Sequence, residues 1–172
     1  MVTSTIDMSC GHGAALLGHG HPAVRRALVK AADLGVCCAF DMPYHIELAE
    51  MICRMVPCAE RVCFTNSGSE ATLHALRLCR AISGRDKIIH FTEHFHGYHD
   101  YTYIGGHPPK GELDRASSFR ESAGIPAPMS QFIIALPFND LDAVERAIRQ
   151  HRNEVGTVIL EPVNFNSGGI LL

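Results

Sequence analysis

Apolar positions recur along this chain at two different spacings, and the changes between them lay out its elements. Behind Pro22, Val24, Ala27, Leu28 and Ala31 fall on one helical face, and Gly35 is a natural stop. A second helix opens at Pro43. Tyr44, Leu48, Met51, Ile52 and Met55 form its stripe, Glu47, Glu50 and Arg54 lie opposite, and Pro57 ends it. The run RVCFTN at 61–66 then reads as a short strand. Helical spacing returns from Ser69 to Ile82, with Ala71, Ala75, Leu78 and Ile82 as the expected buried stripe and Gly84 as the stop. KIIHFT at 87–92 and QFIIAL at 131–136 read as strands. Asn139 is the expected cap of a helix carrying Leu141, Val144 and Ile148, and VGTVILE at 155–161 reads as a fourth strand.

Strands alternating with helices predict an α/β fold with a mostly parallel sheet and helices on both faces. The stretch 97–130, rich in Gly, Pro and Ser, is too long for an ordinary connection, so it is expected to be functional or mobile. Ligands of such sheets bind at the carboxyl ends of strands. The informative residues should therefore follow Phe64, Phe91 and Leu160.

Composition narrows the class. The 172 residues suffice for one domain or part of a larger one, and 47% hydrophobic residues is ordinary for a globular protein. A formal net charge of -3 gives no reason to expect a nucleic-acid or membrane partner. No apolar run reaches the roughly 18 residues of a membrane helix. The first nine residues carry Asp7 and no basic cluster, so no signal peptide is expected. Seven cysteines, with Cys37 and Cys38 adjacent, form no paired framework, and they are read as small reduced core residues of a cytoplasmic protein.

Three segments carry chemistry. Thr65-Asn66-Ser67-Gly68-Ser69-Glu70-Ala71 joins a strand to a helix. Small residues and a helix N-terminus make an anion site, and Ser67 and Ser69 can donate hydroxyl bonds to the same anion. A plain N-cap explains Ser67 equally well, because Glu70 stands at capping-box spacing. Phe95-His96-Gly97 follows the next strand within the run His90, His94, His96, His99. An aromatic face there can stack on a flat ring, and Gly97 permits close approach. Such histidines are otherwise ordinary loop residues. A metal is not expected, because zinc ligands converge from rigid elements and these lie on a loop. Glu161-Pro162-Val163-Asn164-Phe165-Asn166-Ser167-Gly168 ends the last strand. Asn and Gly suit a plain turn, but a carboxylate closing an apolar strand needs a partner.

Together these segments resemble the class III aminotransferases, pyridoxal-phosphate enzymes of fold type I, and the resemblance covers nearly the whole chain. Gly18-His19-Gly20-His21-Pro22 is similar to that family's GH-x-HP. PYHIELAE at 43–50 looks like the segment entering its cofactor domain. TNSGSEATLHALRLCRAISGRDKII looks like its phosphate-binding strand, loop and helix, HFHGYHD like its YHG turn, and EPVNFNSG like its EPV-x-x-N-x-G. The resemblance implies pyridoxal 5'-phosphate as cofactor. Ser67, Gly68 and Ser69 would cradle its phosphate, Phe95 would stack on the ring with His96 beside it, Glu161 would order the floor of the site, and Asn166 would approach the ring hydroxyl. Phe95 stands where the family usually has Tyr, which removes a hydroxyl and keeps the stacking face. Residues 1–58 would lead into the cofactor domain, and 59–172 would be the first part of that large domain.

The resemblance also implies two residues that this chain lacks: an Asp at the ring nitrogen and a Schiff-base Lys. The lysines present are Lys30, Lys87 and Lys110, none at the family's position. The chain is therefore expected to be a fragment, inactive alone, whose 61–66 strand has no parallel neighbour and whose apolar faces stand exposed. The intact protein would be a homodimer acting on a small amino donor or amino-aldehyde. LPFNDLDAVERAI at 136–148 looks like the glutamate-1-semialdehyde aminomutase branch, with ordinary transaminases and racemases also open. The rival expectation is a non-catalytic remnant that binds a phosphate-bearing ligand or a full-length subunit.

Overall fold

The computed structural model describes residues 4–35 and 39–172, so Cys37 and Cys38 lie outside it. The chain divides into two units, Met1–Val62 and Cys63–Leu172. The first holds helices α1 (Pro22–Leu34) and α2 (Pro43–Met55), each opened by its proline at the first turn. Among its described residues none is buried. Leu28 and Met51, on the stripes read from the sequence, stay exposed.

The second unit is built on a parallel sheet in the order β2-β1-β3, from β1 (Lys87–Phe91), β2 (Ile133–Leu136) and β3 (Val155–Val158). Alternation along β1 sends Ile88 to one face and Ile89 and Phe91 to the other. On the first face Ile88 and Ile133 pack with Leu76, Ile104 and Ile125. Leu76 comes from helix α3 (Gly68–Ser83), while Ile104 and Ile125 come from the 97–130 stretch. On the second face Ile89 and Phe91 pack against Ala147 of helix α4 (Leu141–Gln150). Beyond β3 the chain turns through a short antiparallel hairpin of β4 (Val163–Asn164) and β5 (Ile170–Leu171).

The structure differs from the sequence reading in four places. Residues 61–65, read as part of a strand, carry no sheet pairing among the described residues, and a strand forms only against a neighbour. The stripe expected on α3 is turned outward: Leu78 and Ile82 are 60% and 78% exposed, and Leu76 is the buried residue. Polar side chains of α3 face inward because the turns on either side of β1 and the loop supply partners for them. Thr72 donates to the His96 carbonyl at 2.6 Å, and Arg80 donates to the Asp86 carbonyl while lying 3.9 Å from the Tyr101 ring centroid. The cap of α4 is Asp140, whose carboxylate accepts from the Ala143 amide at 2.8 Å. Asn139 instead sits at φ 63 and donates to the Leu171 carbonyl. That start turns Ala143 and Ala147 inward and leaves Leu141 exposed. Finally, 97–130 is a packed layer and supplies core. Gly105, at φ 78, lies so close to β2 that a Cβ would stand 2.5 Å from Ala135 Cβ.

Candidate functional site

The N-terminal turn of α3 supplies the first part. Ser67 is its cap, accepting from the Glu70 amide at 3.2 Å, and the Glu70 carboxylate accepts from the Asn66 amide at 2.8 Å. The capping reading of Ser67 is thus present in the structure, and it leaves the turn open rather than closed. The amides of Gly68 and Ser69 have no partner among the described residues, as the first turn of any helix dictates. The space beside Gly68 is empty to 4 Å. The sixteen-residue helix behind them adds its positive dipole end.

The turn after β1 supplies the second part and is locked to the first. Tyr98 donates its amide to Ser69 Oγ at 3.1 Å. Gly97, at φ 103, approaches Ser69 so closely that a Cβ would lie 2.7 Å from its Cα, which is why glycine stands there. The Thr72 bond to the His96 carbonyl completes the contact. Phe95 is 42% exposed, with the Tyr98 ring edge-on at 5.0 Å. Its open face is available to a flat ligand.

The end of β3 supplies the third part. Glu161 accepts from the Phe95 amide at 2.5 Å, and its own amide donates to His94 Nδ1 at 3.0 Å. The partner that the strand-ending carboxylate needed is therefore a backbone amide of the neighbouring turn. Asn166 is exposed in the β4–β5 turn. That turn is held from beneath by buried Asn164, which accepts from the Ser167 amide at 3.3 Å, and by the Ser167 hydroxyl, which bonds the Glu93 carboxylate.

His96 does not share the open surface of Phe95. It is buried with His90 and His94, the rings meeting edge to face at centroid separations of 6.4 and 5.8 Å. Burial, and then the neighbouring histidines, push its pKa down to about 4, and burial does the same to His90. Among the described residues no group of side chains is arranged to hold a metal ion.

The structure thus brings Ser67, Gly68, Ser69, Phe95 and Glu161 to the carboxyl end of the sheet, with Asn166 on the adjoining turn and His96 behind. Thr72, Tyr98 and His94 bind these parts together; Thr72 and Tyr98 were given no role from the sequence, and His94 was named there only as one of a run of loop histidines. The density of histidines was the sequence signal that could have pointed to His94. Lys87 stands at the opposite end of β1, ion-paired with Glu154 at 2.8 Å.

The family model for class-III aminotransferases matches residues 3–172. Glutamate-1-semialdehyde 2,1-aminomutases of Methanococcus maripaludis strain C5 and Methanocaldococcus jannaschii are 40% and 39% identical over 166 residues, 96% of this chain and 38% of theirs. An omega-transaminase from Sphaerobacter thermophilus superposes with a TM-score of 0.86 at 31% identity, over 96% of this chain and 38% of that one. A glutamate-1-semialdehyde-aminomutase from Pseudomonas aeruginosa PAO1 superposes with a TM-score of 0.78 at 26% identity, over 96% of this chain and 35% of that one. The chain spans 38% of the length of the first-named curated relatives. With the match running over residues 3–172 and its three segments joined at one end of the sheet, the chain belongs to the class-III aminotransferase family.

Proposed function

We propose that this end of the sheet is the phosphate- and ring-binding part of a pyridoxal 5'-phosphate site. The protein it serves moves an amino group and stands on the glutamate-1-semialdehyde aminomutase side of the family. The observation that carries the reading is the junction of α3 with the turn after β1. There Ser69, Gly97 and Tyr98 interlock beside two unpartnered amides and an open aromatic face. Those groups fit the cofactor. The amides of Gly68 and Ser69, the Ser67 and Ser69 hydroxyls and the helix dipole would hold a phosphate dianion. The exposed Phe95 face would take the pyridine ring. When bound, the cofactor supplies an electron sink for the bond broken at the substrate carbon. Glu161 orients Phe95 by accepting its amide, and Asn166 stands free to donate to a ring substituent.

Support for the branch comes from the names of the relatives, which are glutamate-1-semialdehyde 2,1-aminomutases. In the same reading the complete protein is a cytoplasmic homodimer working on a small amino donor or amino-aldehyde. Cys10, Cys53 and Cys79 are half-buried and Cys58 and Cys63 exposed, so these five are not the core residues expected, and their unpaired state suits a reducing compartment. No described helix is long and apolar enough to cross a membrane. A second reading, a non-catalytic chain that retains phosphate binding, draws support from the three lysines, none of which is among the site residues.

The test is Ser69→Asp. The new carboxylate keeps an acceptor for the Tyr98 amide but sets a negative charge against the phosphate. Equilibrium dialysis of the chain against pyridoxal phosphate and against pyridoxal reads the phosphate contribution directly. The unsubstituted chain is expected to prefer the phosphorylated form, and the Asp variant to lose that preference. Equal retention of both compounds by both proteins rejects the assignment.

A further inference from the structure

The two strand ends that carry Phe95 and Glu161 are joined by a pair of bonds running in opposite directions. The Phe95 amide donates to the Glu161 carboxylate, and the Glu161 amide donates to His94 Nδ1. These elements are 66 and 67 residues apart in sequence, and the two bonds link neighbouring residues on each side. We propose that His94 is a positioning residue, whose neutral ring latches the end of β3 to the turn after β1 and so sets Glu161 and Phe95 relative to one another. The inference rests on the cofactor reading only for its consequence, the placing of the stacking face. The latch itself is a property of this chain.

The chemistry of the bond dictates the state of the ring. An amide N–H donates into Nδ1, so Nδ1 bears no proton and the proton of the neutral ring is on Nε2. The ring has little freedom to turn away. It is 2% exposed and lies edge-on to Phe138 at 4.4 Å and against Phe91 at 5.5 Å. Its Nε2 is buried without a partner. The bond from the Glu161 amide is the hydrogen bond that sets against this cost, since an unpartnered buried N–H is unfavourable. Protonation of Nδ1 would set two donors against each other and open the latch. The titratable groups around the ring are Glu161 from the segment after β3, Glu93 from its own turn, and His90 and His96 from β1 and the turn. Burial lowers the pKa of His94 below its usual value, and Glu161 and Glu93 pull the other way. The latch is therefore closed at neutral pH and opens as pH falls below the ordinary histidine range.

Amide hydrogen exchange on the full 172-residue chain, followed by NMR from about pH 7.5 to about pH 4.5 and expressed as protection relative to the unfolded chain, tests this. His94→Asn places a carbonyl oxygen near the position of Nδ1, an acceptor that does not titrate. His94→Leu removes the acceptor. The Thr92 amide, which bonds Leu136 within the sheet, reports global unfolding. In the unsubstituted chain, protection at Glu161 and Phe95, taken throughout as its ratio to that at Thr92 so that the loss of global stability in acid cancels, is expected to fall roughly tenfold across the acid range. The Leu variant should show the low protection at every pH. The Asn variant should restore it and abolish the pH dependence. Protection at Glu161 and Phe95 that ignores pH in the unsubstituted chain, or is equal in the Leu variant, overturns the latch without touching the phosphate assignment. So does an Asn variant that behaves as the Leu variant while Thr92 stays protected.

Discussion

His90 is a side chain whose chemistry its surroundings refuse. It is fully buried, neither ring nitrogen has a partner of good geometry, and burial holds its pKa near 4. In the folded protein it stays neutral until about pH 4, whereas the unfolded chain takes up its proton near the model-compound value of 6.5. Between those two values the unfolded state binds more protons, so stability falls as pH falls, and levels off below the folded pKa. The same sign applies to His96. His90→Leu removes the first of these terms and replaces an unpaired polar ring with an apolar side chain. Urea unfolding should show equal or higher stability at about pH 7.5 and a smaller loss on going to about pH 4.5, by up to about 3 kcal/mol. An unchanged loss across that interval would show that His90 is not the group resisting its proton.

At the scale of elements, the long connection between β1 and β2 is held against the sheet by close backbone approach. Gly105 is the tightest point. Its φ is 78, its amide donates to the Phe119 carbonyl at 2.7 Å, and a Cβ would lie 2.8 Å from the Ala116 carbonyl oxygen as well as against Ala135. Gly105→Ala therefore adds a steric clash to backbone strain and should cost about 2–4 kcal/mol. Gly111 has a similar φ of 88 and nothing within 4 Å, so Gly111→Ala carries the strain alone, about 1 kcal/mol. Thermal melts of the two variants should separate them in that order. A Gly105→Ala variant no less stable than Gly111→Ala would mean that the layer does not press on β2 as described.

For the whole molecule, the lysines decide the expected activity. Lys87 is engaged by Glu154 and lies 3.2 Å from His151 Nδ1, at the strand end away from Phe95 and Glu161. Lys110 is exposed in the long connection and Lys30 lies on α1. A positioned proton-transfer group is typically worth about 10²–10⁴-fold in rate, and no lysine that could serve as one stands among the residues gathered at the site. Assayed alone with pyridoxal phosphate and an amino donor, the 172 residues should show no amino transfer and no lysine carrying the cofactor after borohydride reduction. Turnover together with one stoichiometrically modified lysine would show that Lys30, Lys87 or Lys110 reaches the site.

The chain's order of segments was enough to expose its family, and local signals placed much of the fold. Pro22 and Pro43 open their helices, Gly84 closes α3 in the left-handed conformation, and KIIHF forms the central strand. These are decided within a turn or two of backbone, by a fixed φ, a missing Cβ or a run of branched side chains, so they are legible without a partner. Ser67, Gly68 and Ser69 were legible for the same reason, as a helix start with small residues. What the tertiary structure alone decided is which side of each element meets something. The inner face of α3 became Thr72, Leu76 and Arg80 because the turn after β1 offers a carbonyl to Thr72 and the connection beyond it an aromatic ring to Arg80. His96 went inside and Phe95 stayed open because Glu161, 66 residues beyond Phe95, holds the Phe95 amide while Thr72 holds the His96 carbonyl, one on each side of the pair. Burial and hydrogen-bond partnership depend on groups far along the chain, and no local pattern contains them.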